Sequence, residues 1–149
     1  MKRIHLHVNV DDLDRSIRFY ETLFGAPPSV VKPDYAKWML DDPRVNLAIS
    51  QKGRAPGLDH VGVQAETAEE LSEIAARLKA AAEPTVEEVA TTCCYAFSDK
   101  HWAADPSGLK WETFHTFGES TTYGLAAEAP AAFRTEAEAS PTSACCGLV

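Results

Sequence analysis

The sequence predicts an α+β fold built from two tandem βαβββ modules. Three observations carry the prediction. A stretch alternating at period two leads into a capped amphipathic helix and then into three short strand-like runs. The same order restarts after a polar linker. The halves also match position by position at a separation of 55 residues, from His5 to His60. An internal repeat of that kind is one supersecondary unit used twice.

The first module spans residues 1–55. In Arg3-Ile4-His5-Leu6-His7-Val8-Asn9-Val10, the apolar side chains share one face and His5, His7 and Asn9 share the other. Asp11 or Asp12 can cap the helix that follows. Leu13, Ile17, Tyr20 and Phe24 recur at helical spacing, and Gly25 stops the helix. Strands are predicted near 29–32, 35–41 and 44–50, separated by Pro33-Asp34 and by residues 41–44.

Gln51 to Gly57 is a polar linker, and the second module spans residues 56–118. Leu58-Asp59-His60-Val61-Gly62-Val63-Gln64-Ala65 repeats the first strand. Thr67 and Glu70 carry a capping-box signature. Leu71, Ile74, Ala75 and Leu78 form the helix stripe, and strands are predicted near 85–89, 94–99 and 108–115. Asp105-Pro106 echoes Asp42-Pro43, each before a module's last strand. Residues 119–149, rich in Ala, Glu, Ser, Thr and Pro, are predicted to form a disordered tail with a short helix near 131–137.

The net charge of −8 argues against nucleic acid and anionic membrane as partners. No apolar run approaches the roughly 20 residues of a transmembrane helix, and no signal peptide is visible. The four cysteines form two adjacent pairs, Cys93-Cys94 and Cys145-Cys146, unlike a secreted disulfide framework. A cytoplasmic location is expected.

His5 and His60 start equivalent strands, so pseudo-symmetric pairing of the modules brings them together. Glu112 lies on the last strand of module two, where module one offers Ala48 or Ile49. Two imidazoles and a carboxylate leave coordination positions open and suit non-haem Fe(II). Cys93-Cys94 supplies two soft sulfur ligands for a thiophilic metal or metalloid. Neighbours in a regular strand point to opposite faces, so joint use of the pair requires residues 91–94 to be loop or bulge. The same pair also reads as two small buried hydrophobes.

The doubled unit and this spacing resemble the vicinal oxygen chelate superfamily of glyoxalases, extradiol dioxygenases and bleomycin-resistance proteins. Within it, residues 32–43 (Lys-Pro-Asp-Tyr-Ala-Lys-Trp-Met-Leu-Asp-Asp-Pro), Gly57-Leu58-Asp59-His60, Thr92-Cys93-Cys94-Tyr95 and Trp111-Glu112-Thr113-Phe114 resemble the organoarsenical carbon–arsenic lyases and cadmium-induced proteins. The resemblance covers residues 1 to about 118. It implies a cup-shaped mixed sheet, with His5, His60 and Glu112 holding Fe(II) as the catalytic metal. It implies that Cys93 and Cys94 bind trivalent arsenic. The implied reaction is dioxygen-dependent cleavage of the carbon–arsenic bond of a methyl or aromatic arsenical, releasing arsenite. Tyr95 is the expected contact for the organic group. The alternatives are a protein that sequesters cadmium or arsenite without turnover, and a glyoxalase-like metalloenzyme. Both monomer and homodimer suit the architecture.

The remaining candidates have plainer readings. His7 reads as a hydrogen-bonding neighbour of the metal ligands. His101 and His115 lack repeat partners and take loop or strand-end roles. Lys100 and His101 are expected on a loop contributing to a lid. Trp38, Phe97, Trp102 and Trp111 read as core or cup wall, and Cys145-Cys146 as part of a dispensable tail.

Overall fold

The computed structural model describes residues 1–124. The expected helix near 131–137 and Cys145-Cys146 lie outside the described residues. Module one runs β1 (Arg3–Asn9), α1 (Leu13–Phe24), β2 (Val30–Lys32), β3 (Tyr35–Asp41) and β4 (Arg44–Ser50). Module two runs β5 (Gly57–Ala65), α2 (Ala68–Ala80), β6 (Val86–Cys93), β7 (Ala96–Ala104) and β8 (Lys110–Glu119). No helix among the described residues is long and apolar enough to cross a membrane.

The helix boundaries follow from local chemistry. The Asp12 carboxylate accepts from the Arg15 amide at 2.8 Å, and Gly25 ends α1 in the left-handed region. Thr67 accepts from the Glu70 amide at 3.2 Å. The Glu70 carboxylate accepts from the Glu66 amide at 3.0 Å, one residue earlier than in a standard capping box.

Eight strands form one curled mixed sheet in the order β2-β3-β4-β1-β5-β8-β7-β6. The modules meet within one chain, through antiparallel β1 and β5. Each of these pairs in parallel with the last strand of its own module, β4 or β8. That arrangement places the starts of both modules, and the end of the second, at the centre of the sheet.

The two faces differ. Leu13 on α1 packs with Val10, Ala36, Trp38, Leu47 and Ile49, and partly buried Leu6, Val8, Ile17, Tyr20 and Phe24 complete this core. The apolar face of β1 thus serves the helix side. On its other face His5, His7 and Asn9 are also buried. A buried polar face requires partners for every donor and acceptor, and those partners define the site described next.

Gly62 lies opposite His5 on β1 and Glu112 on β8. A Cβ at this position would collide with the Glu112 backbone carbonyl oxygen. Overpacking of this kind costs about 1–3 kcal/mol. Gly62→Ala is therefore expected to lower Tm by several degrees and to weaken metal binding, because β5 carries His60 and β8 carries Glu112. Thermal melts and metal titration of the variant check both.

Candidate metal centre and thiol site

His5, His60 and Glu112 converge at the centre of the sheet. His5 Nε2 lies 3.3 Å from His60 Nε2 and 3.7 Å from Glu112 Oε2. His60 Nε2 lies 3.4 Å from the same oxygen. The point equidistant from the corners of a triangle with these sides is about 2.0 Å from each, a metal–ligand distance for imidazole and carboxylate.

The surroundings aim these atoms inward. His5 Nδ1 donates to the Asn46 carbonyl at 3.1 Å, and His60 Nδ1 donates to Asp59 Oδ1 at 2.7 Å. Those bonds put the ring protons on Nδ1 and leave the Nε2 lone pairs facing the centre. Asn9 and Arg54 each donate to Asp59 Oδ2 at 2.9 Å, so the carboxylate behind His60 is itself held. Lys100 donates to Glu112 Oε1 at 2.7 Å and leaves Oε2 for the centre.

The electrostatics match a site shaped for a cation. Burial and the charge of His60 push His5 down to about 4. Burial and the same neighbour push His7 down to about 3. Burial also opposes a charge on His60, but hydrogen bonds to Asp59 and Glu112 outweigh it and push this group up to about 9. Against its own burial, Glu112 is held well below the usual carboxylate range by Lys100 and His60.

His7 belongs to the same cluster. Ligand atoms of His5, His7 and His60 all lie within 4.8 Å of one another, and these residues can hold a metal ion. The distances within His5, His60 and Glu112 are shorter, and His7 Nε2 is already engaged with Ser50 Oγ at 2.9 Å. His5, His60 and Glu112 are the tighter donor set, with His7 beside it.

The thiol pair sits on a turn. The loop or bulge expected over 91–94 is corrected: residues 91–93 lie in β6, paired with β7, and only Cys94 leaves the strand. Cys94 and Tyr95 have φ of 52° and 63° and form a two-residue hairpin turn between β6 and β7. The turn brings the two sulfurs to 3.2 Å. Non-glycine residues in this conformation cost about 1–3 kcal/mol each, and such strain concentrates at functional sites. The hydrogen bond from Cys94, with help from Lys100, pulls the Cys93 thiol down. Its bond to Cys93 and its burial push Cys94 up. The surroundings thus favour thiolate character at Cys93 over Cys94, and the two sulfurs share a contact of 3.2 Å.

Cys93 and Cys94 line one inner chamber of about 40 Å³ together with His5, Glu112 and Lys100. An outer cleft of about 490 Å³, lined by Lys32, Tyr95 and Glu119, adjoins it. Lys37, Cys94, Ala96 and Thr116 line both.

Several expectations change. Lys100 and His101 are on strand β7, not a lid loop, and Lys100 is 1% exposed. Its ion pair with Glu112 accounts for that burial. Tyr95 is half-buried, and its hydroxyl donates to Asp34 at 2.8 Å, away from the inner chamber. Trp102 keeps its expected place in the core, fully buried and edge-on to His60 at 5.1 Å. Residues 119–124 were assigned to the tail. Glu119 instead ends β8, and Tyr123 packs on Tyr35 and Tyr95. The roles of Asp59 behind His60 and of Lys100 on Glu112 do not follow from the sequence analysis, which gives Asp59 no role of its own and places Lys100 on a lid. Both have a signal: Asp59 directly precedes a candidate ligand, and Lys100 shares a strand face with Ser98 and Trp102.

A two-module sheet with a buried histidine–carboxylate centre defines a class of metal-binding folds. The profile of the Glyoxalase/Bleomycin resistance protein/Dioxygenase superfamily matches residues 2–113, and the chain belongs to that family. It is 43% identical over 122 residues to a trivalent organoarsenical cleaving enzyme of Bacillus sp. (strain MD1), covering 78% of this chain and 74% of that protein. It is 38% identical over 125 residues to the cadmium-induced protein CadI of Mycobacterium tuberculosis (strain ATCC 25618 / H37Rv), covering 83% and 82%. Homoprotocatechuate 2,3-dioxygenase from Brevibacterium fuscum shares the fold at TM-score 0.59 and 18% identity, with 83% of this chain covering 39% of that one.

Proposed function

We propose that the protein is an Fe(II)- and dioxygen-dependent enzyme that cleaves the carbon–arsenic bond of trivalent organoarsenicals and releases arsenite. The observation that carries this reading is the inner chamber: one small space faces both thiols on one side and His5 and Glu112 on the other. Relatives named for organoarsenical cleavage support it.

The residues divide the work. His5, His60 and Glu112 are the metal ligands and catalytic centre. Two imidazoles with one carboxylate are the donor set of non-haem ferrous sites with open positions. Bound there, iron supplies the dioxygen chemistry that side chains lack. Cys93, as thiolate, attacks arsenic and displaces one hydroxide. Cys94 displaces the second and passes its proton to the leaving group. The turn then holds the organic group toward the histidines, which makes the following step effectively intramolecular. Tyr95 guards the outer cleft. Methylarsonous acid plus dioxygen gives arsenous acid plus formaldehyde. The carbon–arsenic bond breaks, arsenic stays trivalent, and the methyl carbon supplies the electrons that dioxygen takes up.

Chamber size sets a preference. In protein interiors a benzene ring occupies a cavity of about 150 Å³, whereas the chamber here holds about 40 Å³. A methyl group fits, and a phenyl group must displace the walls. Methylarsonous acid is expected to exceed phenylarsonous acid in kcat/KM by about fivefold or more, because overpacking costs at least about 1 kcal/mol.

The reading is tested by loading the reduced protein with Fe(II), Mn(II) or Zn(II) and separating arsenic species after exposure to methylarsonous acid. Arsenite is expected only with Fe(II) and oxygen. A second reading, thiol-based sequestration of cadmium or arsenite without turnover, is favoured by the CadI relatives. Stoichiometric capture with no arsenite released under any metal would establish it instead.

A further inference from the structure

The strap after β8 is not used by the reading above. Its polar contacts join the two halves of the site. The Ser120 amide donates to the Tyr95 carbonyl at 2.8 Å, which returns the chain over the thiol turn. Tyr123 then inserts between the modules. Its ring lies 5.9 Å from Tyr35 on β3 and 5.6 Å from Tyr95 on the turn, edge-on to both. Lys52, from the linker between the modules, sits 3.8 Å over the same ring. Tyr35, the partner of that ring on β3, is itself edge-on to His7 at 6.4 Å. Ring contacts therefore run from Tyr95 on the turn through Tyr123 and Tyr35 to His7, beside His60. Gly124 follows with φ of +84°, and a Cβ there would collide with the Thr92 carbonyl. Only glycine lets the strap lie this close to β6.

We infer that Tyr123 is a positioning residue of the thiol site, latching the Cys94–Tyr95 turn to the histidine side of the cup. The turn is strained by its two left-handed residues and gains from an external hold. Tyr123 supplies that hold through its ring, which keeps the two sulfurs in the geometry that joint capture needs. The inference about the turn does not depend on arsenic. Its consequence for substrate rests on the proposed function.

Alkylation of the reduced full-length chain by iodoacetamide tests it, with each cysteine resolved by peptide mass spectrometry. Cys145 and Cys146 serve as internal references. In the control Tyr123→Phe, which keeps the ring contacts, the Cys94 rate is expected to stay near that of the wild type. In Tyr123→Ala and Gly124→Ala it is expected to rise about tenfold or more, because the aromatic contacts are lost or displaced. Fe(II) affinity and the reference cysteines should stay unchanged. A Cys94 rate matching wild type in Tyr123→Ala overturns the latch, and so does a parallel rise at all four cysteines with a fall in Tm. With methylarsonous acid, the same variants are expected to raise KM more than they lower kcat. Loss of arsenite release in the wild-type protein would sink the proposed function while leaving the alkylation result to decide the latch.

Discussion

Glu112→Gln is expected to weaken Fe(II) binding by more than about 100-fold, since residues that merely support a ligand already contribute 10–100-fold. The amide keeps an oxygen for Lys100, so the fold should survive. Glu112→Ala is a different experiment. It leaves the Lys100 ammonium, 1% exposed, without the carboxylate it contacts at 2.7 Å. Breaking a buried ion pair from one side costs about 3–5 kcal/mol. The alanine variant should therefore lose metal and the larger share of stability, while the glutamine variant, which keeps an acceptor for Lys100 but not its counter-charge, loses metal with a smaller fall in Tm. Titration with Fe(II) under anaerobic conditions, beside thermal melts, separates the two. Arsenical capture by Cys93 and Cys94 should persist in Glu112→Gln, because neither sulfur is a ligand in the His5, His60 and Glu112 set.

Cys93→Ser should give the reverse pattern, with Fe(II) bound and arsenical capture lost. Under the proposed function the two sulfurs, 3.2 Å apart, both bond one arsenic, and the second attachment is intramolecular. Losing that advantage lowers affinity by about 10²–10⁴-fold. Cys93 is the more sensitive position, because Cys94 and Lys100 together favour its thiolate. Cys94→Ser should retain slow single-point attachment at Cys93. Equilibrium dialysis with methylarsonous acid, read as arsenic per chain, distinguishes the variants. Capture by Cys93→Ser equal to that of the wild type would mean the pair is not the arsenic site.

The parts of the fold that are local were legible in the sequence. The caps at Asp12 and Thr67, the stripe from Leu13 to Phe24 and the alternation of β1 follow from neighbours within a few residues. The repeat extended this to long range, since equivalent strands in pseudo-symmetric modules bring His5 and His60 together. What stayed hidden depends on tertiary context. Lys100 looks solvent-facing until Glu112 on the neighbouring strand neutralises it. The turn at Cys94–Tyr95 lacks the glycine or asparagine that usually marks a two-residue hairpin, and the structure imposes it. Tyr123 sits in a polar, small-residue segment whose composition reads as tail. It is placed only because Ser120 bonds back to Tyr95 and Gly124 fits against Thr92. The size of the inner chamber, which governs the expected methyl preference, belongs to no single stretch of sequence.

The central claim is that the thiols and the metal centre act on one substrate with dioxygen. The most direct measurement follows dissolved oxygen and arsenic species in the same sealed cell, using reduced protein reconstituted with Fe(II) and supplied with methylarsonous acid. The account predicts oxygen uptake that begins only when the arsenical is added, with arsenite appearing in equal amount and neither occurring in Cys93→Ser. Binding of the arsenical with no oxygen uptake and no arsenite would contradict it.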